Sequence, residues 1–162
     1  MAVEFVINKN QPVQKLYDEL TIIIKGLLNK NDNLLSNLSN FTAALKQTFD
    51  KINWVGFYLF DGTKLYLGPF QGKVACTQIG LGKGVCGTSA LSRKTIIADD
   101  VNKFPGHITC DSNSKSEIVI PLLKNNKLLG VLDIDSSSFS AFNGTDKQNL
   151  EYICNFLTEE IF

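Results

Sequence analysis

Arginine occurs once in this chain, at Arg93, and histidine once, at His107. The 16 basic and 16 acidic residues cancel, so the formal net charge is zero. A chain with neither a net positive charge nor an arginine stripe has no evident electrostatic pull toward nucleic acid or an anionic membrane. Long apolar runs are missing too: stretches such as Thr21 to Ile24 are far too short to cross a bilayer. The first residues, MAVEFVINKNQPVQK, have neither the basic start nor the apolar run of a secretory leader. Internal repeats, linkers and low-complexity tracts are also absent. These absences leave the expectation of one cytoplasmic domain spanning 1–162, and 162 residues suffice to bury a core.

The stretch Gly68 to Glu117 is where the unusual residues gather. It holds Cys76, Cys86 and Cys110, three of the chain's four cysteines, together with His107 and a group of glycines around the first two thiols. In a reducing compartment such cysteines point to catalysis, redox cycling or metal binding rather than to a disulfide framework. Cys154 is different. It shares a helical face with Leu150, Ile153, Leu157 and Ile161 and reads as a small core residue.

Periodicity supplies the frame. Pro12 opens a stretch with Leu16, Leu20, Ile23, Ile24 and Leu27 at helical spacing, and Leu34, Leu38, Phe41, Leu45 and Phe49 repeat the pattern. The two helices, about 12–49, could also supply a dimer surface. From Ile52 the period becomes that of strands. INWVGFYLF and KLYLGPF flank an Asp61-Gly62 turn, and EIVIPLL and KLLGVLDID flank Asn125-Asn126, which predicts two hairpins. A third strand is expected over Lys73 to Ile79 and a short one over Thr95 to Asp99, with a glycine-led helix from Gly84 to Arg93 between them. Thr145 and Gln148 are spaced as a capping box before a last helix, about 145–161. Hairpin-joined strands with flanking helices predict an α+β domain on a mainly antiparallel sheet, its site-bearing core about 52–136.

Cys110 stands among Thr109, Asp111, Ser112, Asn113 and Ser114, a polar loop that suits a reactive thiol better than a buried one. Cys86 stands at a helix start, which favours a thiolate, but beside Val85 and Ala90, which suggest burial. Cys76, Cys86, His107 and Cys110 could alternatively form a zinc site, although nine residues separate the first two, unlike the tight knuckles of structural zinc. Asp133 and Asp135, two apart on a strand, face the same way, and Glu117 begins the strand before them. Such acids could bind an ammonium group or donate a proton. Trp54 and Tyr58, four apart on a strand, also share a face; they could be core or the wall of a small apolar pocket.

In sequence order, INWVGFY, LGPFQGKVAC, GKGVCGT, DVNKFPGHITCDSNSKSEIVIP and LGVLDIDS resemble the free methionine-(R)-sulfoxide reductases, single-domain enzymes of the GAF fold. The likeness runs from about Ile52 to Ser136. It implies reduction of free methionine sulfoxide, with Cys110 as nucleophile, Cys76 as resolving thiol and Cys86 as an auxiliary thiol. Glu117, Asp133 and Asp135 match the family's acids for substrate binding and proton handling, and Trp54 and Tyr58 the residues that enclose the substrate methyl. Thioredoxin is the implied reductant and a homodimer the implied state, with no metal and no organic cofactor. Backbone N–H groups of Ser114 to Glu117 are candidates for the substrate carboxylate. The rival reading is a non-catalytic GAF-type sensor of a small molecule, which would have no need of the three cysteines.

Overall fold

The computed structural model describes residues 5–106, 108 and 111–162. Apolar residues at steps of three and four form two leading helices, α1 (Val13–Leu27) and α2 (Leu34–Thr48). Pro12 is the N-cap of α1, and the Asn33 side chain caps α2 by accepting the Leu35 N–H at 2.8 Å. Alternating sequence then gives β1 (Trp54–Phe60) and β2 (Lys64–Gln71), followed by a short β3 (Gln78–Gly80). A nine-residue helix, α3 (Gly84–Ser92), precedes β4 (Ile96–Ala98), a single 3-10 turn at Val101–Lys103 and the long hairpin of β5 (Ser116–Lys124) and β6 (Lys127–Ser136). The chain ends in α4 (Gly144–Glu160).

All six strands pair antiparallel in the order β3-β2-β1-β6-β5-β4. The β5–β6 hairpin turns through Asn125 and Asn126 at φ 48° and 61°, left-handed values that asparagine tolerates better than most residues. The expected α+β architecture with a mainly antiparallel sheet is therefore what the chain adopts.

Two expected boundaries move. The third strand is confined to Gln78–Gly80, because residues 73–77 form a loop rather than continuing the ladder. The capping box of α4 is Asn143 with Asp146, not Thr145 with Gln148. The Asn143 carboxamide accepts the Thr145 and Asp146 N–H groups, and Asp146 accepts the Asn143 N–H at 2.9 Å.

Strand alternation splits the sheet into two chemically distinct faces. Val55 and Phe57 of β1, Ile118, Ile120 and Leu122 of β5, and Leu132 and Ile134 of β6 point to one face. There they form one core with the buried residues of α1, α2 and α4, Cys154 among them. The other face carries Trp54, Tyr58, Val119 and Val131 and is roofed by α3 through Val85, Cys86 and Ala90. The acids Glu117 and Asp133 are buried on this second side, and the candidate site lies there.

Candidate active site

Register brings the acids together. Asp133 of β6 sits opposite Gly56 of β1 and Val119 of β5, and Asp135 sits opposite Trp54 and Glu117. With a period of two, Glu117, Asp133, Asp135, Trp54 and Tyr58 all point to the face roofed by α3. The structure thus assembles five of the residues singled out in sequence. Glu117 and Asp133 are almost closed off, at 6% and 7% exposure.

From above, the first turn of α3 lowers Cys86 onto these acids. Its Sγ lies 3.7 Å from Glu117 Oε1, and ligand-capable atoms of Cys86, Glu117 and Asp133 lie within 4.8 Å of one another. Such a buried trio could hold a metal ion, and among the described residues it is the group able to do so. It is a different donor set from the three cysteines and histidine considered above. Two of those four, His107 and Cys110, lie outside the described residues. Cys76 is half-buried on the loop before β3, at the edge of the aromatic cluster.

Burial raises every acid in the group, and the charge of Asp133 adds to the rise at Glu117 and Asp135. Asp133 is pushed up to about 6, chiefly by burial, with hydrogen bonds involving Cys86 and Glu117 holding it partly back. Glu117 rises well above the carboxylate range through burial and the nearby charges of Asp133 and Asp135. Asp135 follows through burial and Asp133. The Cys86 thiol rises as well, through burial and then the charges of Asp133 and Glu117. Of the two readings the sequence leaves open for Cys86, a thiolate at a helix start or a buried thiol, the structure favours burial. The dipole at an exposed helix end contributes about 0.3–1 kcal/mol, too little to outweigh full burial against two acids.

One atom in this group lacks a partner. Asp133 Oδ1 is buried without a hydrogen bond, and an unsatisfied buried oxygen costs roughly 1–3 kcal/mol. Two small cavities lie beside it, with Asp111, Asp133 and Asp135 in both linings. One runs under α3 along Lys83, Gly84 and Val85, and the other along Trp54, Tyr58, Val74 and Ala75. The first turn of α3 receives no side-chain cap, so anion-seeking N–H groups border the first cavity. The second has an aromatic wall: Trp54 stacks on Tyr58 at 6.0 Å and on Phe70 at 5.5 Å between ring centroids. One end of the site is therefore built for an anion, the middle for a cation and the far end for an apolar group.

Several contributors were not singled out in sequence. Asp111 lines both cavities and pairs with Lys73 at 3.5 Å across the mouth. Phe70 backs Trp54, and its place opposite Gly56 follows from the β1–β2 hairpin register. Of the four N–H groups of Ser114 to Glu117 considered for a carboxylate, two are already engaged. The Ser114 N–H donates to Asp111 O at 3.2 Å and the Lys115 N–H to Ser136 O at 2.8 Å, leaving neither free.

A curled antiparallel sheet with helices on one face and a roofed, polar pocket on the other defines a small-ligand domain. The GAF domain family matches residues 33–161, and the chain belongs to that family. It is 48% identical over 158 residues, 97% of this chain and 99% of the relative, to GAF domain-containing protein A of Dictyostelium discoideum. It is 42% identical to the free methionine-R-sulfoxide reductase of Saccharomyces cerevisiae, covering 94% of this chain and 89% of that one. The solved free methionine-R-sulfoxide reductase of Neisseria meningitidis, in complex with its substrate, superposes with a TM-score of 0.88 at 38% identity, covering 98% of this chain and 93% of that one.

Proposed function

We propose that the protein reduces free L-methionine (R)-S-oxide to methionine through cysteine sulfenic acid and disulfide chemistry, with thioredoxin regenerating the thiols. The observation that carries this reading is the unpartnered Asp133 Oδ1 among buried acids beside an aromatic wall. An ammonium group from the substrate would satisfy that oxygen and relieve the repulsion that raises the acids. The Trp54 and Tyr58 wall suits the methyl on sulfur, and the uncapped start of α3, with Lys83 beside it, suits the carboxylate. Relatives that bear the reductase name support the same assignment.

The chemistry follows from these groups. A protonated acid of the Glu117, Asp133 and Asp135 set donates to the sulfoxide oxygen, which is otherwise a poor leaving group. The Cys110 thiolate attacks sulfur, the S–O bond passes its oxygen to Cys110 as a sulfenic acid, and methionine departs. Cys76 condenses with the sulfenic acid, releasing water and forming a disulfide, which an external dithiol then reduces. Cys86 is at most an auxiliary thiol, since its burial against acids opposes the thiolate that attack requires. A homodimer in the cytoplasm completes the proposal; light scattering of the purified protein checks the dimer.

The cysteine roles are tested by substitution. Cys110→Ser is expected to abolish methionine release, because an unactivated hydroxyl does not replace a thiolate. Cys76→Ser is expected to release one methionine per site and then stall with thioredoxin, and Cys86→Ser to be milder. Peptide mapping after substrate should give a Cys76–Cys110 link. A dominant Cys86–Cys110 link with normal recycling in Cys76→Ser would reassign the resolving thiol. Stoichiometric zinc in the active protein would favour the metal reading instead.

A further inference from the structure

The indole of Trp54 lies across its own strand in a slot made by two missing side chains. A Cβ on Gly56 would stand 2.4 Å from Trp54 Cη2, 2.9 Å from Cζ3 and 2.5 Å from Phe70 Cβ. A Cβ on Gly72 would stand 2.5 Å from Trp54 Cδ1. Real carbon contacts are close to 3.5–4.0 Å, so neither position admits a side chain while the ring stays where it is. The remaining restraints fix its plane. Phe70 stacks on it with an interplanar angle of 17°, and its Nε1–H donates to Lys73 O at 3.0 Å. Gly56 is also the residue paired with Asp133, so the slot adjoins the unpartnered carboxylate.

We infer that Gly56, with Phe70 behind the indole, is a specificity-determining position that sets the depth of the apolar pocket and so selects a methyl over a larger alkyl group on the substrate sulfur. The inference rests on the reductase reading above and extends it to a residue that touches no substrate. Gly56 points to the same face as the cavity bounded by Trp54, Tyr58 and Asp133. A methyl at Gly56 meets the ring on one side and Phe70 Cβ on the other, so the indole is driven outward into the cavity. Replacing Phe70 by a smaller side chain has the opposite effect, because the indole gains room to settle back toward β2. In apolar pockets one methylene is discriminated by roughly 10–200-fold, so a shift of this size is readable in kinetics.

The test compares free methionine sulfoxide with ethionine sulfoxide in the wild-type protein, Gly56→Ala and Phe70→Leu, each first checked for folding by circular dichroism. In Gly56→Ala, kcat/KM for methionine sulfoxide should fall about tenfold, mainly through KM, and that for ethionine sulfoxide should fall further. In Phe70→Leu, the ratio of ethionine to methionine sulfoxide turnover should rise about fivefold or more. Equal losses on both substrates in both variants would mean that the two residues are merely structural, and would overturn the inference while leaving the reductase reading intact. A wild-type protein inactive on methionine sulfoxide would overturn both. If Gly56→Ala does not fold, Phe70→Leu alone decides: an unchanged ratio rejects the inference.

Discussion

Asp133 shows how a single side chain connects fold to chemistry. Its ordinary pKa of 3.8 is raised to about 6 in the folded chain by burial. The folded state therefore holds a proton that the unfolded state has released between those two values. The stability linked to that proton is full below pH 4 or so and is lost as pH rises through about 6. Glu117 and Asp135 are shifted in the same direction and add to the effect. Without ligand, the wild-type protein should thus melt at a higher temperature at pH 5 than at pH 7. Asp133→Asn, which mimics the neutral form, should flatten much of that difference. Thermal melts of both proteins across this range check the claim, and parallel slopes would contradict it. Asp61 shifts the other way, to about 2, and acts only at far lower pH.

At this scale the sequence was informative where chemistry is local. Glu117, Asp133 and Asp135 were legible because a period of two fixes the face to which a strand residue points. The surroundings of Cys86 were not. Its burial against two acids arises because α3 folds back over β5 and β6, a contact between residues more than thirty positions apart. Val85 and Ala90 point to burial and the helix start to a thiolate, and nothing local to Cys86 shows the two acids that decide between them.

Among the elements, α4 is anchored by one buried acid. Asp146, fully enclosed, accepts Tyr17 O–H at 2.7 Å and Lys51 N–H at 2.6 Å while capping its own helix. It thereby ties α1 and the lead into β1 to the start of α4. Removing one partner of a fully buried charge pair costs about 3–5 kcal/mol, but Lys51 retains contact with water. Asp146→Ala should therefore lose about 2–3 kcal/mol, measurable by urea denaturation. Because it lies on the face opposite the site, KM should stay unchanged in the folded variant. A changed KM would show that the two faces are coupled. The pattern of Ser or Thr followed by Glu or Gln does not show this cap, because Asn143 and Asp146 reach the same N–H groups with other side chains. The Lys73 to Ile79 strand is shorter than expected: Val74, Ala75 and Cys76 make a short apolar run, yet the ladder to β2 begins only at Gln78. Both hairpins were read correctly, since Asp61-Gly62 and Asn125-Asn126 specify tight reversals.

The whole molecule divides its work between the two sides of one sheet. Three helices bury the apolar side and supply most of the core, which leaves the other side free to carry acids at a cost in stability. In the proposed function, the carboxylate, ammonium and methyl of one amino acid each find a matching region on that side. Three fixed groups leave one orientation for the sulfur, so only one sulfoxide epimer can present its oxygen to a proton donor. The same fit excludes a peptide: an acid that receives a free ammonium group has no use for an amide nitrogen.

The measurement that bears most directly on this account is an NADPH-coupled thioredoxin assay of the purified protein. Its substrates are free (R)-methionine sulfoxide, free (S)-methionine sulfoxide and the N-acetyl, C-amide form. The account predicts turnover of the free R epimer alone. Comparable rates on the blocked substrate or on the S epimer, or no reduction of the free R form even with dithiothreitol in place of thioredoxin, would contradict it.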